Sequence, residues 1–126
     1  VLVDFWATWC GYCVREMPDF EKVYKEFGSN SKDVIIIGIA GPKSKLNANN
    51  VDVSKEEITA FLKKKNITYP TLMDETGKTF AEYEIEEYPS SFIINENGHL
   101  RAYIKGAVSK EELKQNIDKV LTSVQK

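Results

Sequence analysis

The chain begins with a short apolar run, Val1–Trp6 (VLVDFW), the pattern of a strand covered on both faces in a parallel sheet. From Cys10 to Phe27 the pattern changes. Val14, Met17, Phe20, Val23, Tyr24 and Phe27 recur at helical spacing, Gly28 ends the run, and Pro18 predicts a kink within it. Val34–Ala40 (VIIIGIA) reads as a second buried strand, followed by a polar loop over Gly41–Asn50. Ser54 with Glu57 three residues on is a capping box, and it predicts a helix running to Lys65. Thr68–Met73 predicts a strand and Thr79–Ile85 a short helix. Ser91–Asn95 and Leu100–Lys105 then predict a hairpin turning at Asn97–Gly98. A second capping box, Ser109 and Glu112, opens a last helix that reaches Thr122. Alternation first and a hairpin last predicts an α/β fold: a mainly parallel sheet with an antiparallel edge and helices on both faces.

Composition narrows the picture. At 126 residues and 42% hydrophobic, without repeats, low-complexity tracts or linkers, the chain is expected to form one domain over residues 1–126. Net charge is −2 with Lys and Glu scattered, which gives no case for nucleic-acid binding. No stretch approaches the roughly 18 apolar residues of a membrane span. Because the chain starts at Val1, already within a strand, an N-terminal strand and a targeting or anchoring segment are expected to be missing.

The chemistry gathers at DFWATWCGYC. Cys10 and Cys13 are the only cysteines, and they stand where a strand passes into a helix. A sulfur at that junction lies beside the unpaired amides of the first turn, where the helix dipole favours a thiolate by about 0.3–1 kcal/mol. Cys10 is thus the expected attacking thiol. Cys13, one turn further in, is the expected resolving thiol, which releases the mixed disulfide formed at Cys10. Other readings are a structural staple, half of a zinc site and two free core thiols. The staple would close so short a loop that it gains only about 2 kcal/mol, and the zinc site would have His99 as the single histidine to draw on. Asp4, six residues before Cys10, is a carboxylate within an apolar strand. Desolvation raises its pKa, which suits it to take the Cys13 proton; the plainer reading is a strand-end acid paired with a lysine.

These residues resemble the thioredoxin superfamily, over Val1 to about Val124. VDFWATWCGYC carries the family's Trp before the first cysteine and its upstream buried acid, and Pro18 matches the proline of its first active-site helix. YPSSFII resembles the cis-proline element, which implies a cis bond at Pro89 rather than at Pro70. The unit Ser54–Met73 resembles an insertion found in the TlpA/ResA-like group of extracytoplasmic thiol–disulfide oxidoreductases of bacteria. CVREMP is similar to that group too, and implies that Glu16 lies near the thiols; otherwise Glu16 is an ordinary solvated helix residue. Asp4 is closer to thioredoxin itself, Tyr12 replaces its proline between the cysteines, and no lysine in Val34–Ala40 partners Asp4. EYPSSFIINENGHLRAYIKGAVSKEE is also similar to the thioredoxin-like domain that donates electrons to secreted methionine sulfoxide reductases.

The resemblance implies a thioredoxin fold and a thiol–disulfide oxidoreductase that reduces extracytoplasmic partner proteins. Cys10, Cys13, Asp4 and Glu16 carry the chemistry, and Trp9, Gly11, Tyr12, Tyr88, Pro89 and Ser90 line the substrate groove. No bound cofactor or metal is expected beyond the redox-active disulfide, because electrons arrive from an upstream dithiol protein. A monomer is expected, membrane-associated only through the missing anchor. The alternatives are a disulfide-forming oxidase and a copper-binding chaperone on the same fold.

Overall fold

The computed structural model describes residues 1–123, so Val124 and the last positions of the expected domain lie outside it. The elements are β1 (Leu2–Trp6), α1 (Gly11–Glu26), β2 (Ile36–Ala40), α2 (Lys55–Lys64), β3 (Thr71–Met73), α3 (Lys78–Glu82), β4 (Ser90–Ile94), β5 (Leu100–Lys105) and α4 (Lys110–Ser123). The strands form one mixed sheet in the order β3-β2-β1-β4-β5. β1, β2 and β3 run parallel, while β4 and β5 form the antiparallel edge.

Because successive side chains alternate across a strand, β1 serves two cores. Leu2 and Trp6 pack with Met17, Phe20 and Val23 of α1, Ile58 of α2, and Leu113 and Ile117 of α4. Val3 and Phe5 face the other way, against Ile39 and Phe92 and beneath Phe80 of α3. Helices cover both faces, as expected, but three lie on one side and one short helix on the other. Phe5, Trp6 and Phe20 are fully buried, and each such side chain stabilises the fold by about 1.5–3 kcal/mol.

Asp4 shares the face of Leu2 and Trp6, under α1. Its register partners are Ser91 on β4 and Gly38 on β2, and Gly38 is paired in turn with Thr71 on β3. A transverse row, Ser91–Asp4–Gly38–Thr71, therefore crosses the sheet within the apolar core.

Three element bounds differ from the sequence expectation by two residues or more, each for a visible reason. The strand expected from Thr68 starts at Thr71, because the amides of Thr68 and Tyr69 donate to the Glu21 carboxylate at 2.8 and 3.1 Å and Pro70 has no amide hydrogen. The second strand starts at Ile36 rather than Val34. The Asn30 side chain brackets Ile36 there, donating to its carbonyl at 2.9 Å and accepting from its amide at 2.8 Å. The short helix stops at Glu82, before Glu84 enters the left-handed region at φ 54°. Both capping serines do act as N-caps, with Ser54 and Ser109 accepting from the amides of Glu57 and Glu112 at 3.2 Å.

Candidate active site

β1 ends at Trp6, and the tight turn after it closes with the Cys10 amide donating to the Ala7 carbonyl at 3.2 Å. This turn sets Cys10 as the N-cap of α1 with an extended backbone, φ −88° and ψ 106°. Its Sγ accepts from the Cys13 amide at 3.1 Å, one of the first-turn amides beside which the sequence places this sulfur. No acidic side chain sits in the first turn to compete for the helix's positive end. Cys10 and Cys13 form a disulfide with Cα atoms 5.3 Å apart. Cys10 is 6% exposed and Cys13 2%, so the first cysteine is the more open of two sheltered ones.

An aromatic rim surrounds the pair. Trp9 and Tyr12 are largely exposed; Trp9 packs on Tyr88 at 5.0 Å, and the Arg15 guanidinium lies 4.7 Å above the Tyr12 ring. Gly11 leaves room for that Arg15 side chain, since a Cβ there would come within 3.3 Å of Nη1. The Tyr88–Pro89 peptide is the cis bond, and Pro70 is not in one. Ser90 is buried, and its hydroxyl donates to the Glu87 carbonyl at 2.7 Å.

Two carboxyls lie buried beneath the rim. Asp4, 2% exposed, accepts from the Ser91 hydroxyl at 3.1 Å. Burial and the nearby charge of Glu16 raise its pKa well above the usual carboxylate range, and the Ser91 bond offsets this only in part. Among the described residues no lysine pairs with Asp4, which disposes of the strand-end ion pair. Glu16 is 5% exposed, so it is not a solvated helix residue. One of its oxygens accepts from the Val108 amide at 2.7 Å, while Oε1 has no partner within the protein. Burial raises its pKa to about 7 against the Val108 bond, and Asp19 adds to the rise. Both acids thus hold protons more tightly than free carboxyls do.

Several residues of the site carry no signal in the sequence. Asp52, in the segment after β2, accepts from the amide of Thr8 at 3.2 Å and from its hydroxyl, and so fastens that segment to the turn before Cys10. A cavity of about 120 Å³ results beside the rim, with Trp9, Tyr88, Asn50 and Asp52 in its wall. Ser91, Val108 and Tyr69 also reach the two acids only through the tertiary fold, although strand alternation in SSFII would place Ser91 and Ile93 on one face. His99 follows the β4–β5 turn, at the opposite end of the sheet from the cysteines, and its amide donates to Asn95 Oδ1 at 2.9 Å.

The comparisons agree with this geometry. The thioredoxin-like protein YneN of Bacillus subtilis (strain 168) is 32% identical over 118 residues, covering 94% of this chain and 63% of its own length. The thiol-disulfide oxidoreductase ResA of Geobacillus thermodenitrificans (strain NG80-2) is 27% identical over 120 residues, covering 95% of this chain and 62% of its own. The chain therefore spans just under two thirds of the curated relatives it matches. The crystal structure of StoA from Bacillus subtilis superposes with a TM-score of 0.75 at 28% identity, covering 92% of this chain and 80% of that one. The architecture is the thioredoxin fold that the motifs implied. With the model described as the AhpC/TSA family matching residues 1–103, cysteine pair and cis-proline included, the chain belongs to the AhpC/TSA family.

Proposed function

We propose that this chain is a thiol–disulfide oxidoreductase that reduces disulfides in extracytoplasmic partner proteins. The observation that carries the reading is the Cys10–Cys13 pair at the start of α1, with the Cys13 amide directed at the Cys10 sulfur. That amide and the helix dipole stabilise a Cys10 thiolate in the reduced protein. The thiolate attacks one sulfur of a substrate disulfide and the other leaves as a thiol, taking up a proton. Cys13 then gives its proton to Asp4, and its thiolate attacks Cys10 Sγ. The second substrate sulfur leaves, also taking a proton, and the Cys10–Cys13 disulfide forms. Two electrons and two protons pass to the substrate, and an upstream dithiol protein restores the pair. No bound cofactor enters these steps.

Glu16 is the second proton-holding group and keeps Asp4 protonatable through its charge. Trp9, Gly11, Tyr12 and the Tyr88–Pro89–Ser90 segment line the groove that receives the partner. Apocytochromes, methionine sulfoxide reductases and misoxidised secreted proteins are the candidate substrates, and the protein works as a monomer outside the cytoplasm. Similarity to a named thiol-disulfide oxidoreductase and the helix–strand insertion before the cis-proline support this assignment.

The Cys13→Ser variant should accumulate a mixed disulfide with a substrate protein and Cys10→Ser should not. A pair more oxidising than the glutathione pool in graded dithiol buffers would reverse the direction and make the protein a disulfide-forming oxidase.

A further inference from the structure

On the face of the sheet that carries α3, a helix of five residues leaves part of the surface uncovered. An open groove of about 360 Å³ lies there. The buried ring of Phe92 stands in it between two exposed tyrosines, Tyr83 and Tyr103. Tyr103 stacks on Phe92 with centroids 4.6 Å apart, and Tyr83 meets the same ring edge-on at 5.1 Å. The rest of the wall is charged, with Glu84, Glu86 and Glu87 against a single cation, Lys105. All three glutamates are exposed, and among the described residues none lies within ion-pair reach of a lysine or arginine. Lys105 Nζ stands 5.9 Å from the centroid of the Tyr103 ring, so the aromatic row already attracts a cation of the chain itself.

The groove adjoins the active-site rim. Glu86 and Glu87 run directly into Tyr88 and the cis bond at Pro89, and the Glu87 carbonyl accepts from the Ser90 hydroxyl. On β5, Lys105 is the register partner of Ser90, and the Gly106 amide donates to the Pro89 carbonyl at 2.8 Å. A partner chain laid along Tyr88–Pro89–Ser90 therefore reaches the groove within a few residues, at about 3.3 Å for each residue of extended chain. We propose that this groove docks a basic segment of the substrate protein, with arginine close in sequence to the cysteine that Cys10 attacks. A guanidinium suits it on two counts, because its plane stacks on aromatic rings and its fork pairs with carboxylates. An acidic segment would meet three uncompensated carboxylates and be turned away. The inference rests on the proposed thiol–disulfide exchange and names a substrate class for it. Charges at such a rim act chiefly on the rate of encounter, so the preference belongs to association and weakens with salt.

The test is the second-order rate constant with which the reduced whole chain reduces two synthetic peptides, each with one internal disulfide. One peptide has two arginines within about five residues of the disulfide; the other has citrullines there, which keep the shape and lose the charge. At about 10 mM salt the arginine peptide should react roughly tenfold faster, and the ratio should fall towards one at about 0.5 M. Glu84→Gln, Glu86→Gln and Glu87→Gln combined should bring the ratio to about one at low salt. Should that variant not fold, Glu86→Gln with Glu87→Gln decides. Equal rates for the two peptides in wild type, or a ratio that the variant retains, would overturn the docking surface and leave the reductase reading standing. An arginine peptide with serines in place of its cysteines separates the two claims. If neither disulfide is reduced but wild type binds the serine peptide and the variant does not, the reductase reading fails and the surface holds. No reduction and no binding would remove both. Self-association of the chain that the variant abolishes would make a second copy the occupant and overturn the substrate assignment.

Discussion

Glu16 and Glu21 lie on the same helix, five residues apart and so roughly 140° apart around its axis, and both are nearly buried at 5% and 7% exposed. Their proton affinities move in opposite directions. Burial alone would raise Glu21, but the Thr68 hydroxyl, the Thr68 and Tyr69 amides and Lys25 outweigh it and hold the carboxyl below its usual range. Glu16 has one amide donor and one unpartnered oxygen, and burial carries it up to about 7. Burial therefore does not decide which way a carboxyl's proton affinity moves. The number of donors aimed at it does. Glu21 is a clamp that ties the chain before β3 to α1, whereas Glu16 is kept under-solvated beside the cysteines.

This contrast can be broken by substitution. Glu21→Ala has the largest expected effect: the buried amides of Thr68 and Tyr69 lose a charged acceptor, at a cost of roughly 3–5 kcal/mol for two or three such bonds. Chemical denaturation measures the loss, and the reduction potential of the cysteine pair should hardly move. A potential that shifts while stability holds would erase the distinction between the two acids.

Glu16→Gln should act in the opposite direction. Glu16 binds its proton more tightly folded than unfolded, so its contribution is fully present below pH 4.5 and is lost as pH rises through about 7. Above that pH the ionised group opposes folding by about 3 kcal/mol. The variant keeps an oxygen for the Val108 amide and lacks the charge. It should be more stable than wild type at pH 8 by up to about that amount and close to it at pH 4, in urea titrations of the oxidised protein. Equal gains at both pH values would mean that Glu16 is not held protonated by its surroundings.

Lys25→Ala sharpens the comparison from its weak end. Lys25 is 63% exposed and lies 3.6 Å from Glu21. Its removal should cost no more than about 0.5 kcal/mol, which a thermal melt at two salt concentrations can resolve. A larger loss would mean that charge pairing, not the amide donors, holds the Glu21 clamp together.

Much of the fold is legible in short stretches of sequence. The alternation of apolar runs placed β1, α1, β2 and the hairpin, and Ser54 and Ser109 marked two helix starts that the structure caps as expected. DFWATWCGYC located Cys10 at the cap of α1, because capping depends on residues within one turn of each other. Thr68 reads as a strand residue in the sequence and is not one, for the opposite reason: the carboxylate that takes its amide is 47 positions away.

By itself, then, the sequence determined the order of elements, the cysteine pair at a helix start and the cis-proline segment. These rest on interactions reaching three or four residues along the chain, or on motifs that travel with the fold. Tertiary structure alone decided which acids hold their protons tightly. Asp4 meets Ser91 from 87 positions away and Glu16 meets Val108 from 92. A carboxyl's proton affinity depends on the donors and charges that surround it once water is excluded, and those groups assemble only when distant segments pack together.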